Sequence, residues 1–482
     1  MDSSKGLVLK GVFWNAIQLI VNQGFAFIVK LVLAKILLPE QFGLVGMATV
    51  FTGFVSVLTE LGIGAALIQK KEEELTPAHY NTAFWTGIAW SALLYLIMGF
   101  VVAPLAAKFY NEDILKQLIP VISLGILLSP INLVNRAQLS KQMNFKKIAR
   151  IESASNIVAG VIAILLALWG AGVWSLAFNS TAIIVFAIPF YFKATNWLPK
   201  FSWSRKAFKD IFGFGIFATG TNVINYFVNN VDYLLIGKLL SAQLLGSYSF
   251  AFVLTDTFRS RLMAVINNVM YPLYGKKQGD PDAMKRYYLK VVSYNCVIVF
   301  PVMLLLFILA EPFVLNIFGS KWENSILPLK ILSASIMIQM LVNSNTVLIR
   351  ALGRPGLELK LQLIKAAVYL PALAFGIYKY GIVGASWAVL FSRIFNVLIA
   401  QYTFNYLITV KVSSAELFRE IKGPVLATLF SYIIGSVLLN YFHVNFLIVG
   451  PVVLLVFALS IYKFMGAELM AHVHFIKSKR AS

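Results

Sequence analysis

The segment that decides the fold is "KILLPEQFGLVGMATVF", residues 35–51, because the chain repeats it as "KLLSAQLLGSYSFAFVL", residues 238–254. Both copies begin with lysine, pass through a short turn and reach a glycine eight positions on, at the start of a new apolar stretch. The two copies are 203 residues apart. Self-similarity at such an offset predicts a chain built from two copies of one structural unit.

The composition around the repeat is that of an integral membrane protein. Hydrophobic residues make up 59% of the 482 and charged residues only 13%, against about 25% charged residues in soluble domains. Fourteen stretches are long and apolar enough to cross about 30 Å of hydrocarbon as helices. The predicted spans are 12–37, 42–68, 81–106, 115–137, 148–169, 172–192, 209–237, 243–271, 289–311, 325–350, 359–378, 382–408, 422–441 and 445–465. We therefore expect an all-α integral membrane protein.

The distribution of positive charge predicts the orientation of these spans. With the N-terminus inside, the inner segments hold 29 of the 41 lysines and arginines, and the outer segments hold six. Cytoplasmic loops carry such an excess, so we expect both termini in the cytoplasm. The net charge of +21 is then mainly an orientation signal. No loop is long enough for a basic domain that would bind nucleic acid, and no nucleic-acid partner is expected.

The repeat and the span count together predict the domain organisation. The offset of 203 residues corresponds to six helices. We expect a six-helix N-terminal lobe over 1–206, a six-helix C-terminal lobe over 207–410, and two further helices with a cytoplasmic tail over 411–482. Parallel repeats of this kind are a transporter architecture, with substrate held between the halves near the midplane.

The first helix of each predicted lobe carries a stripe of polar side chains. The stripe residues recur at steps of three or four, which is one face of an α-helix. They are Asn15, Gln18 and Asn22 in helix 1, and Asn222, Asn225, Asn229 and Asp232 in helix 7. Amides also act as hydrogen-bonding glue between membrane helices, so the stripes have two interpretations, a substrate pathway or helix packing.

Ionisable residues inside the spans are the other candidates, because burying charge in a membrane is costly and usually functional. Lys330 lies near a helix end, where its ammonium group reaches the surface. Asp256 and Arg259 are three apart, and we leave open whether they form a structural ion pair or line a cavity. The charged candidates for the substrate pathway are Lys30, Asp232, Arg259, Lys365 and Arg393.

Cations together with amides suit an anionic substrate rich in hydroxyl groups. Guanidinium and ammonium groups offset phosphate charge, and amides both donate to and accept from sugar hydroxyls. The residues therefore favour a phosphorylated glycolipid. No catalytic residue, metal site or cofactor is predicted, and the sequence contains no P-loop motif for ATP.

Several motifs resemble the polysaccharide transporter family, the Wzx-type flippases of the MOP exporter superfamily. They are "LLPEQFGLVGMATVFTGFVSVLTELGIGAALIQKK" (37–71), "NNVDYLLIGKLLSAQLLGSYSFAFVL" (229–254), "MNFKKIARIESASNIVAGVIAILLALWGAGVWSLAF" and "LGRPGLELKLQLIK". The resemblance is strongest to the branch that exports colanic-acid-like or teichuronic-acid-like repeat units for lipopolysaccharide and exopolysaccharide biosynthesis.

The resemblance implies two six-helix lobes, as in MATE transporters, plus two C-terminal helices, and a location in the bacterial cytoplasmic (inner) membrane. It implies that the substrate is an undecaprenyl-diphosphate-linked oligosaccharide, flipped by alternating access. It also implies coupling to a proton or sodium gradient, with Glu60 and Asp232 as candidate carboxylates. The bilayer and other polysaccharide assembly proteins would be its partners.

Other classes of membrane protein fit the sequence less well. A multidrug MATE antiporter would have the same lobes but typically twelve helices. A polysaccharide polymerase or ligase would carry catalytic groups on a large outer loop, whereas the longest outer loop here, "EPFVLNIFGSKWEN", has about 14 residues. The loop signature of major-facilitator transporters is missing after helix 2.

Overall fold

The computed structural model of the chain describes residues 24–59, 63–212 and 215–481, and over these ranges it is almost entirely helical, with no strand. The helices up to residue 276 are α1 (24–36), α2 (Pro39–Thr59), α3 (Ile63–Gln69), α4 (Pro77–Ile97), α5 (Ala103–Tyr110), α6 (Leu115–Lys141), α7 (Phe145–Leu168), α8 (Val173–Thr195), α9 (Arg205–Phe212), α10 (Gly215–Leu239) and α11 (Ala242–Lys276). The remaining helices are α12 (Pro281–Ile308), α13 (Ala310–Phe313), α14 (Ile326–Met340), α15 (Asn345–Ala351), α16 (Pro355–Tyr402), α17 (Ser414–Asn440) and α18 (Phe446–Ala481).

The long helices have the properties of membrane-spanning segments. Ten stretches of the described chain have the length and composition needed to cross a membrane. Large apolar side chains point outward from them, as with Phe100 at 79% and Leu398 at 62% exposure. A soluble protein rarely exposes such a continuous apolar surface. The chain is a multi-pass helical membrane protein, and the total of fourteen spans stays a prediction.

Several helices begin well before the spans predicted from hydrophobicity. α12 begins at Pro281, eight residues before the predicted start of the span. Asp280 caps this helix, because its carboxylate accepts a hydrogen bond from the Ala283 amide at 2.9 Å. α17 begins at Ser414, where Ser413 and Glu416 form a reciprocal capping box. Capping groups stabilise the first turn of a helix regardless of hydrophobicity, so these helices extend beyond the apolar part of the sequence.

The predicted span 209–237 runs from α9 into α10, and residues 213–214 between them lie outside the described part of the chain. α9 buries Ala207 and Ile211 on one face and exposes Arg205, Lys206 and Lys209 on the other. Such an amphipathic helix suits the surface of a membrane rather than its interior. The start of this span stays a prediction.

α16 contains two predicted spans, 359–378 and 382–408, which are joined by an abrupt reversal. Gly381 has φ 58°, a left-handed conformation that favours glycine. Residues eight apart in a straight helix are about 12 Å apart. Here a side-chain carbon on Gly376 would lie 2.5 Å from the carbonyl oxygen of Gly384. The chain therefore folds back at Gly381, and α16 is a tight hairpin of two antiparallel segments.

The chain divides into two compact units between Ser249 and Phe250, within α11. In the first unit, α6, α7 and α8 pack against one another and α10 packs along α2. In the second, α12 packs against α14 and α17, and α17 packs against α18. Buried Tyr288, Cys296 and Met303 of α12 lie in the largest apolar core of that unit. The predicted lobe boundary at residues 206 and 207 stays a prediction.

The two repeat copies meet in the first unit through a reciprocal contact. A side-chain carbon on Gly43 of α2 would overlap the carbonyl oxygen of Ala242, and one on Gly246 of α11 would overlap the carbonyl oxygen of Pro39. The repeat offset pairs Gly43 with Gly246 and Pro39 with Ala242. Each glycine thus lets equivalent backbones approach closely, as small residues do between membrane helices.

Candidate functional site

The first unit contains a polar cavity of about 960 Å³, within the range of ligand-binding sites. α2, α6, α7 and α8 supply most of its wall. The side chains that line it include hydroxyls, amides and one ion pair. Among the hydroxyls are Thr49, Thr52, Ser56, Thr59, Ser129 and Ser180, and the amides are Asn132 and Asn156.

The ion pair of the cavity is positioned by the turn between α6 and α7. Met143 has φ 55° in this turn, and Asn144 caps α7 by accepting from the Lys147 amide. The reversal brings Arg136 beside Glu152, with Nε 3.1 Å from Oε1. The hydroxyl of buried Tyr191, on α8, donates to the same carboxylate oxygen at 3.0 Å. Arg136, the one arginine among the described lining residues, is therefore paired with a carboxylate of the same wall.

Asp232, the acidic end of the predicted stripe, is buried at 3% exposure on α10. Its Oδ2 accepts from the Tyr248 hydroxyl at 2.9 Å, and its Oδ1 accepts from the Tyr233 amide at 2.9 Å. Tyr233 in turn donates its hydroxyl to Ser249 at 3.1 Å. The carboxylate is thus held by a small hydrogen-bond network between α10 and the first turns of α11.

Other predicted pathway residues are spread over the structure. Lys30 on α1 and Asn229 on α10 are exposed, and Lys365 on α16 is partly buried. The neighbouring Asn230 donates to the Tyr226 carbonyl at 2.8 Å. The predictions on Asn15, Gln18, Asn22 and Glu60, and on the side chains of Asn222 and Asn225, lie outside the described part of the chain.

The second unit holds a cluster of charges that we call the arginine cluster, formed by Asp256, Arg259, Arg393 and Asn343. Arg259 places Nε 2.8 Å and Nη2 2.7 Å from Asp256 Oδ1, and its Nη1 donates to Asn343 Oδ1 at 3.2 Å. Arg393, from α16, lies 3.8 Å from the same carboxylate oxygen and is 11% exposed. Asp256 and Arg259 thus form an ion pair, and the assignment of Arg259 to the substrate pathway stays a prediction. Two guanidinium groups share this one carboxylate, so the three ionised groups carry a formal charge of +1.

Most of the cavity wall was not predicted from the sequence. The predicted pathway residues are amides and charged groups, and Arg136, Glu152 and the hydroxyls are not among them. Yet Thr49, Thr52, Ser56 and Thr59 recur on α2 at steps of three and four, the spacing that marks one helix face. A search for hydroxyl stripes would have found this wall.

The comparisons with known proteins agree with this architecture. The family model for polysaccharide biosynthesis proteins matches residues 32–327. The chain belongs to this family. It is 26% identical over 386 residues to the teichuronic acid biosynthesis protein TuaB of Bacillus subtilis, covering 78% of this chain and 77% of that protein. It is also 26% identical over 403 residues to the lipopolysaccharide biosynthesis protein WzxC of Escherichia coli, covering 82% and 80%.

The fold of this family member is shared with a solved transporter. Lipid II flippase MurJ, in an inward closed conformation, superimposes with a TM-score of 0.72 at 15% identity, over 95% of this chain and 100% of that one. At this identity the likeness concerns the fold. The predicted family and the predicted helical membrane fold are confirmed.

Proposed function

We propose that the chain is a flippase that moves undecaprenyl-diphosphate-linked oligosaccharide repeat units across the bacterial cytoplasmic membrane. The names of its relatives support a role in surface polysaccharide synthesis, and MurJ, a lipid II flippase, shares the fold. The repeat supports alternating access as the mechanism, because repeated halves commonly rock around a central substrate site.

The arginine cluster is the observation that carries the substrate assignment. Buried guanidinium groups bind phosphate oxygens through charge-assisted hydrogen bonds. Arg259 and Arg393 both lie against the one carboxylate of Asp256, and two guanidinium groups beside one carboxylate suit an anionic ligand. A drug or cation exporter would need the opposite balance of charge at such a cluster. A diphosphate on a lipid carrier suits it.

The orientation and the energy source belong to the same proposal. The excess of lysine and arginine on alternate loops favours both termini in the cytoplasm, so the substrate would load from that side. A proton or sodium gradient would drive export, with Asp232 as the candidate coupling carboxylate of the described chain.

Deletion of the gene tests the proposal directly. Lipid-linked repeat units should accumulate on the cytoplasmic face of the membrane, where a glycan label that cannot cross the membrane does not reach them in intact cells but does after permeabilisation. Complementation with the wild-type gene should restore outer labelling. Normal outer labelling combined with a changed drug tolerance would contradict the flippase proposal and favour a MATE-like exporter.

A further inference from the structure

We propose that the cavity of the first unit is a glycan-binding site, which takes the sugar residues of the substrate and not its diphosphate. The inference rests on the flippase function proposed above and adds a ligand class to a cavity that the sequence did not reveal. Charge, hydrogen-bonding polarity and position in the helices support it independently.

The charge of the described wall does not favour a diphosphate as the ligand. Among the described lining residues there is one arginine and one carboxylate, Arg136 and Glu152, and Arg136 Nε lies 3.1 Å from Glu152 Oε1. The Tyr191 hydroxyl donates to the same carboxylate. The described lining residues therefore carry no net formal charge, unlike the three ionised groups of the arginine cluster.

The hydroxyl groups of the wall present acceptors to a ligand. Thr49, Ser56 and Thr59 each donate to a carbonyl oxygen of their own helix, at 2.9, 2.8 and 3.1 Å. Ser129 and Ser180 do the same at 3.0 and 3.2 Å. A hydroxyl has one hydrogen and two lone pairs, so these groups still accept after donating. Phosphate oxygens only accept, whereas sugar hydroxyls also donate.

Asn132 adds a buried acceptor to the same wall. Its Nδ2 donates to the Ile184 carbonyl at 2.9 Å, which fixes the amide between α6 and α8. Its Oδ1 is buried without a hydrogen-bond partner in the described structure. Leaving a buried acceptor unsatisfied is unfavourable, and a ligand hydroxyl would satisfy it. Asn132 Oδ1 thus offers a buried acceptor for a sugar hydroxyl, in the same wall as the Glu152 carboxylate.

The cavity lies where a substrate would enter. Its lining extends along most of α6, from Ile122 to Ser140, and reaches the end of α2, the first turns of α7 and the later turns of α8. In the predicted orientation all of these helix ends are cytoplasmic, beside the basic groups Lys70, Lys141 and Lys193. Repeat units made in the cytoplasm would meet this cavity at the loading step.

Two lipid probes that differ only in the sugar test the inference. The full chain in lipid nanodiscs would be titrated with undecaprenyl diphosphate carrying one N-acetylhexosamine and with undecaprenyl diphosphate alone. Glu152→Gln and Asn132→Leu should each weaken binding of the sugar-bearing lipid about tenfold, the scale of one hydrogen bond to a charged or buried group. Binding of the sugar-free lipid should not fall.

Matched variants distinguish a loss of binding in the cavity from a general loss of folding. Asn179 on α8 has a buried amide oxygen but does not line the cavity, so Asn179→Leu should leave both affinities unchanged. Arg259→Gln in the arginine cluster should weaken both lipids alike. Size-exclusion profiles would report folding, and Asn132→Leu keeps the test valid if Glu152→Gln does not fold.

Three results would overturn the inference. Equal loss of both lipids in the cavity variants would place the diphosphate there, and no change for either lipid would leave the cavity without a ligand. Thermal stabilisation by sodium chloride over potassium chloride that Glu152→Gln abolishes, without sugar dependence, would make it a cation site. A wild-type chain that binds sugar selectively but flips no lipid-linked glycan in vesicles would refute the proposed function alone.

Discussion

The cavity of the first unit and the arginine cluster of the second are both polar regions among apolar helices, but their chemistry is opposite. In the described wall of the cavity, Arg136 is paired with Glu152, and hydroxyl groups add acceptors. The cluster sets Arg259 and Arg393 against the single carboxylate of Asp256. If the predicted repeat describes the two halves of the chain, the same helical scaffold carries different polar side chains in each. A repeated scaffold therefore does not imply a repeated binding site.

Substitutions at the contact between Gly43 and Gly246 test whether the two copies of the repeat are equivalent. We expect them to have the largest effect on folding. Gly43→Leu and Gly246→Leu would each drive a side chain into backbone of the other copy, which cannot move aside as a flexible side chain can. We expect both variants to lose the folded protein, to the same extent, in fluorescence-detected size exclusion. Gly275→Leu on α11 is the control, because a side-chain carbon there meets nothing within 4 Å. Normal folding of only one glycine variant would show that the contact is not equivalent in the two copies.

Substitutions in the arginine cluster test the difference in charge between the cluster and the cavity. Truncating one member of a buried charge pair costs about 2–5 kcal/mol, so Arg259→Gln or Arg393→Gln should reduce the rate of flipping at low substrate concentration at least about thirtyfold. Lys330→Gln removes a cation of the same unit that lies 3.9 Å from Glu311, outside the cluster. Lys330→Gln should therefore have little effect on the rate of flipping. Equal losses in all three variants would mean that total charge matters and the cluster does not.

Asp232 tests whether a third polar region supplies the coupling. Asp232→Asn removes the charge but keeps an oxygen that accepts from Tyr248, whereas Tyr248→Phe removes only that donor. If Asp232 couples transport, Asp232→Asn should lower flipping about tenfold and abolish its response to an imposed proton or sodium gradient. Tyr248→Phe should cost about 1 kcal/mol of stability and retain the response. A normal gradient response in Asp232→Asn would assign the carboxylate to packing.

The smallest effect is expected at Asp210 of α9, outside both polar regions. Hydrogen bonds from Lys70 and His79 hold the pKa of the Asp210 carboxyl below its usual range. A lowered folded-state pKa contributes stability above the unfolded pKa, and this stability is lost as the pH falls through the folded value. The melting temperature should therefore drop slightly more between pH 5 and pH 3 in wild type than in Asp210→Asn. Identical pH profiles would show that the hydrogen bonds from Lys70 and His79 to Asp210 do not stabilise α9.

Much of the fold could be predicted from the sequence, because hydrophobicity and loop charge act over whole segments. The helices extend beyond the predicted spans where polar caps lengthen them, as at Asp280 and Ser413. The polar sites were harder. Asp256 and Arg259 are neighbours on one helix, but Arg393 joins them only through tertiary packing, 134 positions after Arg259.

The cavity was missed for a different physical reason. Serine and threonine are well tolerated in membrane helices because their hydroxyls donate to the preceding turn. Hydropathy therefore does not distinguish a hydroxyl that binds a ligand from one that only bonds to its own helix. Glu152 and Arg136 lie close to helix ends, where charge is common. The turn at Met143 brings these two residues together, so that charges typical of helix ends become part of the cavity wall.

The reciprocal contact of Gly43 and Gly246 also bears on the ancestry of the chain. In a two-fold homodimer, each subunit presents the same patch, so one residue makes the same contact twice. The two glycines reproduce that pattern within a single polypeptide, since each reaches the counterpart of the other's backbone neighbour. A six-helix ancestor that dimerised in the membrane would have needed only one glycine for both halves of the contact. Within one chain, Gly43 and Gly246 can change independently, whereas a homodimer would have to change both halves of the contact at once.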